Sequence, residues 1–407
     1  MDKNKTSLRR SINLPMLTLY GLGNILGAGI YVLIGKVAGV AGYLAPLSFL
    51  VASLIAAVSA LTYAEMSARY PVSAGEAVYI NEGFHLPRLA SLVGLMIALA
   101  GMVSAAAITI GFVGYFQVFL PWPDHLIIVL VLLSLGLVAA WGINQSMGLA
   151  VAFTLVEMLG LCMVIVFGAD AIPEYFRAFR YRVSEFTPLM LTSLFSGAFL
   201  AFYAYIGFED MVNVSEEVVQ PEKNMPRGIL AAVIVSTLLY TGVTLVSLSV
   251  MAPEQLISSR APLADVYTEL TREPPWVISL IGLFAVINGA LIQIIMASRL
   301  LYGMANKGWL PAWLANISPR TRTPVNATVI VVLIILLMAL SVSLVGLAEF
   351  TSYLVLMVFA LVNLALVKIK RRGTVISPYS VAGWIPMLGL ITTLLLLLFQ
   401  LTHLWIS

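Results

Sequence analysis

Cysteine is all but missing from this sequence: Cys162 is the single one in 407 residues. One thiol closes no intrachain disulfide and is too few for an iron–sulfur cluster or a structural zinc site. The three histidines, His85, His125 and His403, are too scattered along the chain to suggest a metal centre. Charge is the most telling shortage. Asp, Glu, Lys and Arg make up 10% of the chain, against about 25% in soluble domains, while 61% is hydrophobic. Such a chain lacks the polar surface to face water all round. That excludes a cytosolic enzyme, a nucleic-acid reader and a disordered scaffold. The chain belongs in a lipid bilayer.

What it has in quantity is long apolar runs. A bilayer core needs about 20 mostly apolar residues per helix. Eleven stretches qualify: residues 14–37, 43–68, 89–118, 125–142, 147–169, 188–215, 227–251, 275–306, 325–342, 345–367 and 382–404. None alternates with period two, so an outer-membrane barrel is excluded and helices are expected. The first run is longer than the 7–15-residue core of a cleaved signal. Lys and Arg set the orientation. With the N-terminus inside, sixteen of the 22 fall on cytoplasmic segments and six on outer ones. A cytoplasmic N-terminus is therefore expected in a multi-pass cell membrane protein, and eleven crossings would leave the C-terminus outside.

Two spans carry features that a membrane helix usually avoids. Span 1 reads Gly21-Leu-Gly-Asn-Ile-Leu-Gly-Ala-Gly29, and span 6 carries Glu209 and Asp210 just past its centre. Glycine costs about 1 kcal/mol against alanine in a helix, and a mid-bilayer carboxylate at least about 2.5 kcal/mol. The simplest reading of Gly23 and Gly27 alone is close helix packing. The pairing changes the weight. Spans 1 and 6 open two successive groups of five, and paired broken helices in two halves are the mark of an inverted-repeat transporter. If span 1 unwinds at Gly27, N–H groups of its second half point into the midplane with a positive dipole end. If span 6 stops at Phe202–Ile206, free carbonyls face them. A zwitterion fits between, carboxylate on N–H and ammonium on C=O. The expected fold class is all-α integral membrane: a tail at 1–13, five-helix repeats at 14–169 and 188–367, and an extra helix at 382–404.

The motifs Gly23-Asn-Ile-Leu-Gly-Ala-Gly-Ile-Tyr31, Phe202-Tyr-Ala-Tyr-Ile-Gly-Phe-Glu209 and Ala297-Ser-Arg-Leu-Leu-Tyr-Gly-Met-Ala305 resemble those of the amino acid–polyamine–organocation (APC) superfamily. Ser215-Glu-Glu217, Pro221 to Pro226, Gly308 to Pro311, and Thr62 to Pro71 add to the likeness, which covers about residues 14–370. The resemblance implies a five-plus-five LeuT-type fold and a secondary amino-acid transporter working by alternating access. By position it implies that Gly27, Ala28 and Gly29 bind the substrate carboxylate. Ile25, Phe202, Ala204, Tyr205 and Ile206 would bind its ammonium, with Phe202 and Phe208 as an aromatic gate. Two departures stand out. The family usually has twelve helices, and many proton-coupled members carry a lysine mid-helix 5 where this chain has Glu157.

Coupling is expected at Glu157, with Glu209 a second titratable candidate and Ser298 a hydroxyl for sodium. No cofactor is expected; the coupling ion is a proton, with sodium as the alternative. The amino-acid substrate and the bilayer are the partners, with no nucleic acid, and the oligomeric state stays open. Helix 3 (Met102, Ser104, Ala105, Ala106, Ala107, Thr109) is small and uncharged, and only Glu157 and Glu209 offer a carboxylate to a basic substrate. Neutral L-amino acids are therefore expected, carried by proton symport. An obligate exchanger, a cationic amino acid or polyamine transporter, and a non-transporting sensor or channel remain as alternatives. Segment 252–274 is the better of the two long outer connections to cap the vestibule, since the resemblance implies a re-entrant helical loop there.

Overall fold

Inside a bilayer the backbone finds no water, so each crossing segment closes its own hydrogen bonds as a helix. The computed structural model describes residues 10–72, 75–141, 147–182, 187–306, 308, 310–373 and 377–406. In chain order the helices are α1 (Leu14–Ala41), α2 (Ala45–Arg69), α3 (Gly75–Phe84), α4 (Pro87–Gln117), α5 (Asp124–Trp141), α6 (Met147–Gly168), α7 (Ile172–Arg182) and α8 (Pro188–Phe202). They continue with α9 (Pro221–Val250), α10 (Pro253–Ser258), α11 (Pro262–Thr271), α12 (Trp276–Asn306), α13 (Val325–Ser341), α14 (Leu344–Arg372) and α15 (Trp384–Ile406). The only β-pairing among the described residues is one bridge between Ile12 and Val218.

Each of the eleven expected spans holds a helix among the described residues. Nine helical stretches among the described residues are long and apolar enough to cross a membrane, with Gly29–Arg69 running two spans together. Leu14–Gly27 and Val325–Ser341 are shorter apolar helices. Local chemistry sets the ends. Asn13 Oδ1 accepts from the Met16 amide at 3.0 Å, and Ser343 Oγ from that of Gly346 at 3.2 Å, each satisfying an orphan donor. Pro15, Pro46, Pro87 and Pro188 sit in first turns, where no amide is missed. Gly42 and Gly373 end α1 and α14 at positive φ. The long connections hold helices of their own: α3, α7, and the α10–α11 pair in the segment expected to be re-entrant. On amphipathic α7 the buried Tyr175 donates its hydroxyl to the Tyr43 carbonyl, 2.8 Å away.

The packing repeats with an offset of five spans. Four of the first five helices meet their counterparts: α1 with α8, α2 with α9, α4 with α12, and α5 with α13. The cross-pairs come in matching sets, α1–α9 with α2–α8, and α4–α14 with α6–α12. Five is odd, so counterparts cross the bilayer in opposite directions. Two dense groups result, α1/α2/α8/α9 and α4/α5/α12/α13, joined through α6 and α14. The outermost helix, α15, packs on α14, α2 and α8.

Candidate functional site

Both anticipated interruptions are present, and they touch. In α1 the break falls on Gly27, with φ −25° and ψ −132°. In span 6, α8 ends at Phe202, a 3₁₀ turn covers Tyr203–Tyr205, and Ile206 is extended. Gly207 follows at φ 129°, and the rest, Glu209–Glu217, continues as 3₁₀ rather than α-helix. Gly207 has to be glycine: its φ disfavours any side chain, and a Cβ there would lie 2.5 Å from the Asn24 carbonyl oxygen. A Cβ on Gly29 would lie 2.6 Å from Ala204 Cα. Gly21 and Gly23 pack against Met211 and Thr154, so the close-packing reading of Gly23 and Gly27 holds at Gly23 and not at Gly27. At Gly27 the nearest atom to a Cβ would be the Ala285 carbonyl oxygen at 4.0 Å. The four glycines thus divide between packing and opening the chain.

A helix break leaves N–H groups and carbonyls without intrahelical partners. Several find one in a side chain. Tyr240 of α9 points its hydroxyl at the carbonyls of Ile25 and Ala204, at 2.7 and 2.8 Å, sharing one hydrogen between the two breaks. These are two of the carbonyls expected to meet the substrate ammonium, and each keeps a second lone pair. Glu209 Oε2 accepts from the Gly207 amide at 2.8 Å, so this carboxylate fastens the span-6 break. The Tyr205 hydroxyl donates to the Phe49 carbonyl at 3.1 Å, and its ring meets Tyr240 edge-on.

Beside the breaks lies a hollow of about 30 Å³, enough for one or two waters. Asn24, Ile25, Gly27, Gly29, Tyr203 and Ile206 line one side of it, and Ser104, Ile108, Gly289, Ile292 and Gln293 the other. It therefore separates the two four-helix groups. Contacts bridge it: the Ser104 and Tyr203 hydroxyls are 2.9 Å apart, and Gln293 Nε2 donates to Asp210 Oδ2 at 3.3 Å. The hollow has no room for a solute larger than water.

The remaining expected residues divide. Ala28 continues the α1 backbone, and its side chain lies outside the description. Phe202 and Phe208 are fully buried and converge on Phe359 of α14, at 5.8 and 5.1 Å between ring centres, apart from the hollow. Ser298 donates to the Ile294 carbonyl of its own helix. Glu157 is fully buried on α6 with neither oxygen in a well-formed hydrogen bond, and the side chain that meets it is Asn288 of α12. Its backbone carbonyl accepts from the Tyr31 hydroxyl of α1 at 2.7 Å. Tyr240 and Glu76 were beyond sequence reasoning. A tyrosine in a membrane helix is ordinary, and Glu76 lies in a connection that no motif marked. An acid only five residues beyond the Thr62–Pro71 motif was the one available signal.

Residues 12–406 match the amino acid permease family. Among curated proteins the chain is 28% identical over 391 residues to a branched-chain amino acid permease of Bacillus subtilis (strain 168), covering 90% of this chain and 82% of that one. It is 27% identical over 409 residues to a methylthioribose transporter of the same organism, covering 95% and 87%. It is 26% identical over 388 residues to the vacuolar cationic amino acid transporter 4 of Arabidopsis thaliana, covering 89% and 64%. Broken helices in contact, a hollow between two helix groups and a family match over nearly the whole length agree: the chain belongs to the amino acid permease family of APC transporters.

Proposed function

We propose that this transporter carries an α-amino acid by alternating access, coupled to proton movement through Glu157. The observation that carries the reading is the pair of touching breaks at Gly27 and Ile206–Gly207 with a hollow beside them. Amides after Gly27 suit a carboxylate, and the open lone pairs on Ile25 and Ala204 suit an ammonium. The walls nearest the breaks, Ile25, Ile108, Ile206 and Ile292, are apolar. They support a side chain that leaves the α-carbon as hydrocarbon, in keeping with the neutral substrates expected from sequence and with the branched-chain specificity in the name of one relative. The Lys- and Arg-rich end is read as cytoplasmic.

The coupling reading has its own support. Glu157 is a buried carboxylate where α6, α1 and α12 meet, with the neutral Asn288 as the side chain beside it, and its turn is tied to α1 through Tyr31. Losing a proton there creates a buried charge that no ion pair among the described residues neutralises, so the conformation depends on protonation. In proteoliposomes, an imposed inward proton gradient should drive amino-acid accumulation into empty vesicles. Glu157→Gln should abolish that accumulation and keep exchange into preloaded vesicles. Gradient-driven uptake that survives in Glu157→Gln would remove the coupling role. Uptake by the parent only into preloaded vesicles would identify an exchanger.

A further inference from the structure

Six of the 22 Lys and Arg residues fall on segments read as outer, and three of those six, Arg177, Arg180 and Arg182, stand within the eleven residues of α7. The orientation bias disfavours cations on that side, so a cluster of them there needs a reason. The place of α7 is fixed by what it touches. One 3₁₀ turn, Ala169–Ala171, separates it from the end of α6. It packs on α9 and on the turn between α1 and α2, where Tyr175 donates to Tyr43. Span ends meet at that level, so α7 lies at the membrane surface. The buried ion cluster of Glu65, Arg69 and Lys370 lies at the other end of α2.

The two faces of α7 differ. Ile172, Tyr175 and Phe179 pack inward, against the core. On the other face, at 3.6 residues per turn, Phe176, Arg180, Arg177 and Tyr181 follow one another around an arc of about 140°. The arginines hold its centre and an aromatic ring stands at each edge, with Phe176 58% and Tyr181 81% exposed. Glu174, beside them, pairs with Arg177 at 2.9 Å, and Arg180 has no ion pair among the described residues. Two guanidiniums against one carboxylate leave the face positive.

Water suits the guanidiniums and not the rings, and hydrocarbon suits the rings and not the guanidiniums. The headgroup layer suits both. Phosphate oxygens accept from guanidinium N–H groups, and aromatic rings rest where headgroups meet acyl chains. We propose that α7 is an interfacial helix whose Arg177 and Arg180 seat the phosphate headgroups of anionic phospholipids in the adjoining leaflet. Through α9 and the α1–α2 turn, this seat anchors the α1/α2/α8/α9 group to the membrane surface. The inference is independent of the substrate and coupling readings.

The test uses the full chain in micelles holding equal amounts of dioleoyl phosphatidylglycerol and dioleoyl phosphatidylcholine, with bound lipids counted by native mass spectrometry. The basic cluster Lys368–Arg372 is kept throughout, so only α7 changes. The parent should retain phosphatidylglycerol in preference to phosphatidylcholine. Arg177→Gln combined with Arg180→Gln should weaken that retention about ten-fold or more, at roughly five-fold per charge near an anionic surface. The melting temperature in phosphatidylcholine alone reports that the variant is folded. In vesicles of the two lipids, a nitroxide on Tyr181→Cys, with Cys162→Ser removing the native thiol, should collide with oxygen more readily than with a water-soluble nickel chelate. Phosphatidylglycerol retention unchanged by the double substitution overturns the proposal. So does a nitroxide that meets the chelate as freely as one in bulk water, which would leave this face to a soluble partner.

Discussion

Tyr240 solves a problem that the breaks create. Opening two helices at one depth exposes carbonyls whose partners have gone, and an unsatisfied buried acceptor costs about 1–3 kcal/mol. One hydroxyl from α9 meets both, so the two breaks are held at fixed distance by a side chain that carries no charge. The remaining lone pairs on Ile25 and Ala204 are thereby aimed, as the proposed ammonium site requires. Tyr240→Phe keeps the ring packed on Phe49 and Tyr205 and removes only this bridge. Substrate affinity should fall about ten-fold, equivalent to about 1.4 kcal/mol, measured by counterflow competition. Affinity equal to that of the parent would mean that the carbonyls are oriented by the backbone alone.

At the scale of elements, the α10–α11 pair behaves as a cover fastened on two sides. Toward α1, Lys36 Nζ donates to the Ile257 carbonyl, and Gly35 admits the Leu256 backbone where any side chain would collide. Toward α4 and α5, Arg260 Nη1 reaches Gln117 Oε1 at 2.8 Å and Asp124 Oδ1 at 2.9 Å. The cover thus spans both helix groups, across a cleft of about 290 Å³. The Arg260–Asp124 pair is 62% and 50% exposed, so it contributes about 0–1 kcal/mol and holds the cover only loosely. Arg260→Ala should raise the labelling rate of a cysteine placed at Ile110 a few-fold from that end, with transport retained. No change in labelling would make the pair decorative.

These elements were unequally legible. Gly27 and the Ile206–Gly207 break stand out in the sequence because glycine and paired acids are disfavoured mid-membrane and recur five spans apart. The division of labour among Gly21, Gly23, Gly27 and Gly29 was not legible, since it depends on whether Met211, Thr154 or Ala204 stands opposite. Glu76 and Asp210 meet only because α3 folds back beside span 6, across more than a hundred residues of chain. Phe202 and Phe208 read as a gate from their positions, yet what they face is set by Phe359, far along in α14.

Across the whole molecule the hollow is closed from both ends, and the two closures differ in kind. At the Arg260 end the fastening is exposed. At the basic end, Glu65 of α2 is fully buried and accepts from Arg69 Nε at 2.8 Å, Lys370 Nζ at 2.8 Å and the Val381 amide at 2.8 Å. This ties α2 to the end of α14 and to the segment leading into α15. The chain before α1 adds a second tie there, through the Ile12–Val218 bridge and the Ser11 and Ile12 amides on the Glu217 carbonyl. Removing one member of a buried, hydrogen-bonded ion cluster costs about 3–5 kcal/mol, several times the worth of the exposed pair. The imbalance predicts that thermal opening occurs first at the Arg260 end. Glu65→Gln leaves Arg69 and Lys370, with side chains 6% and 17% exposed, facing a neutral amide in place of the carboxylate. The variant should unfold several degrees lower in detergent, and a cysteine at Thr351 should become reactive from the basic end. A variant with the parent's melting temperature and labelling pattern would show that the bundle's packing alone, rather than this cluster, keeps the basic end shut.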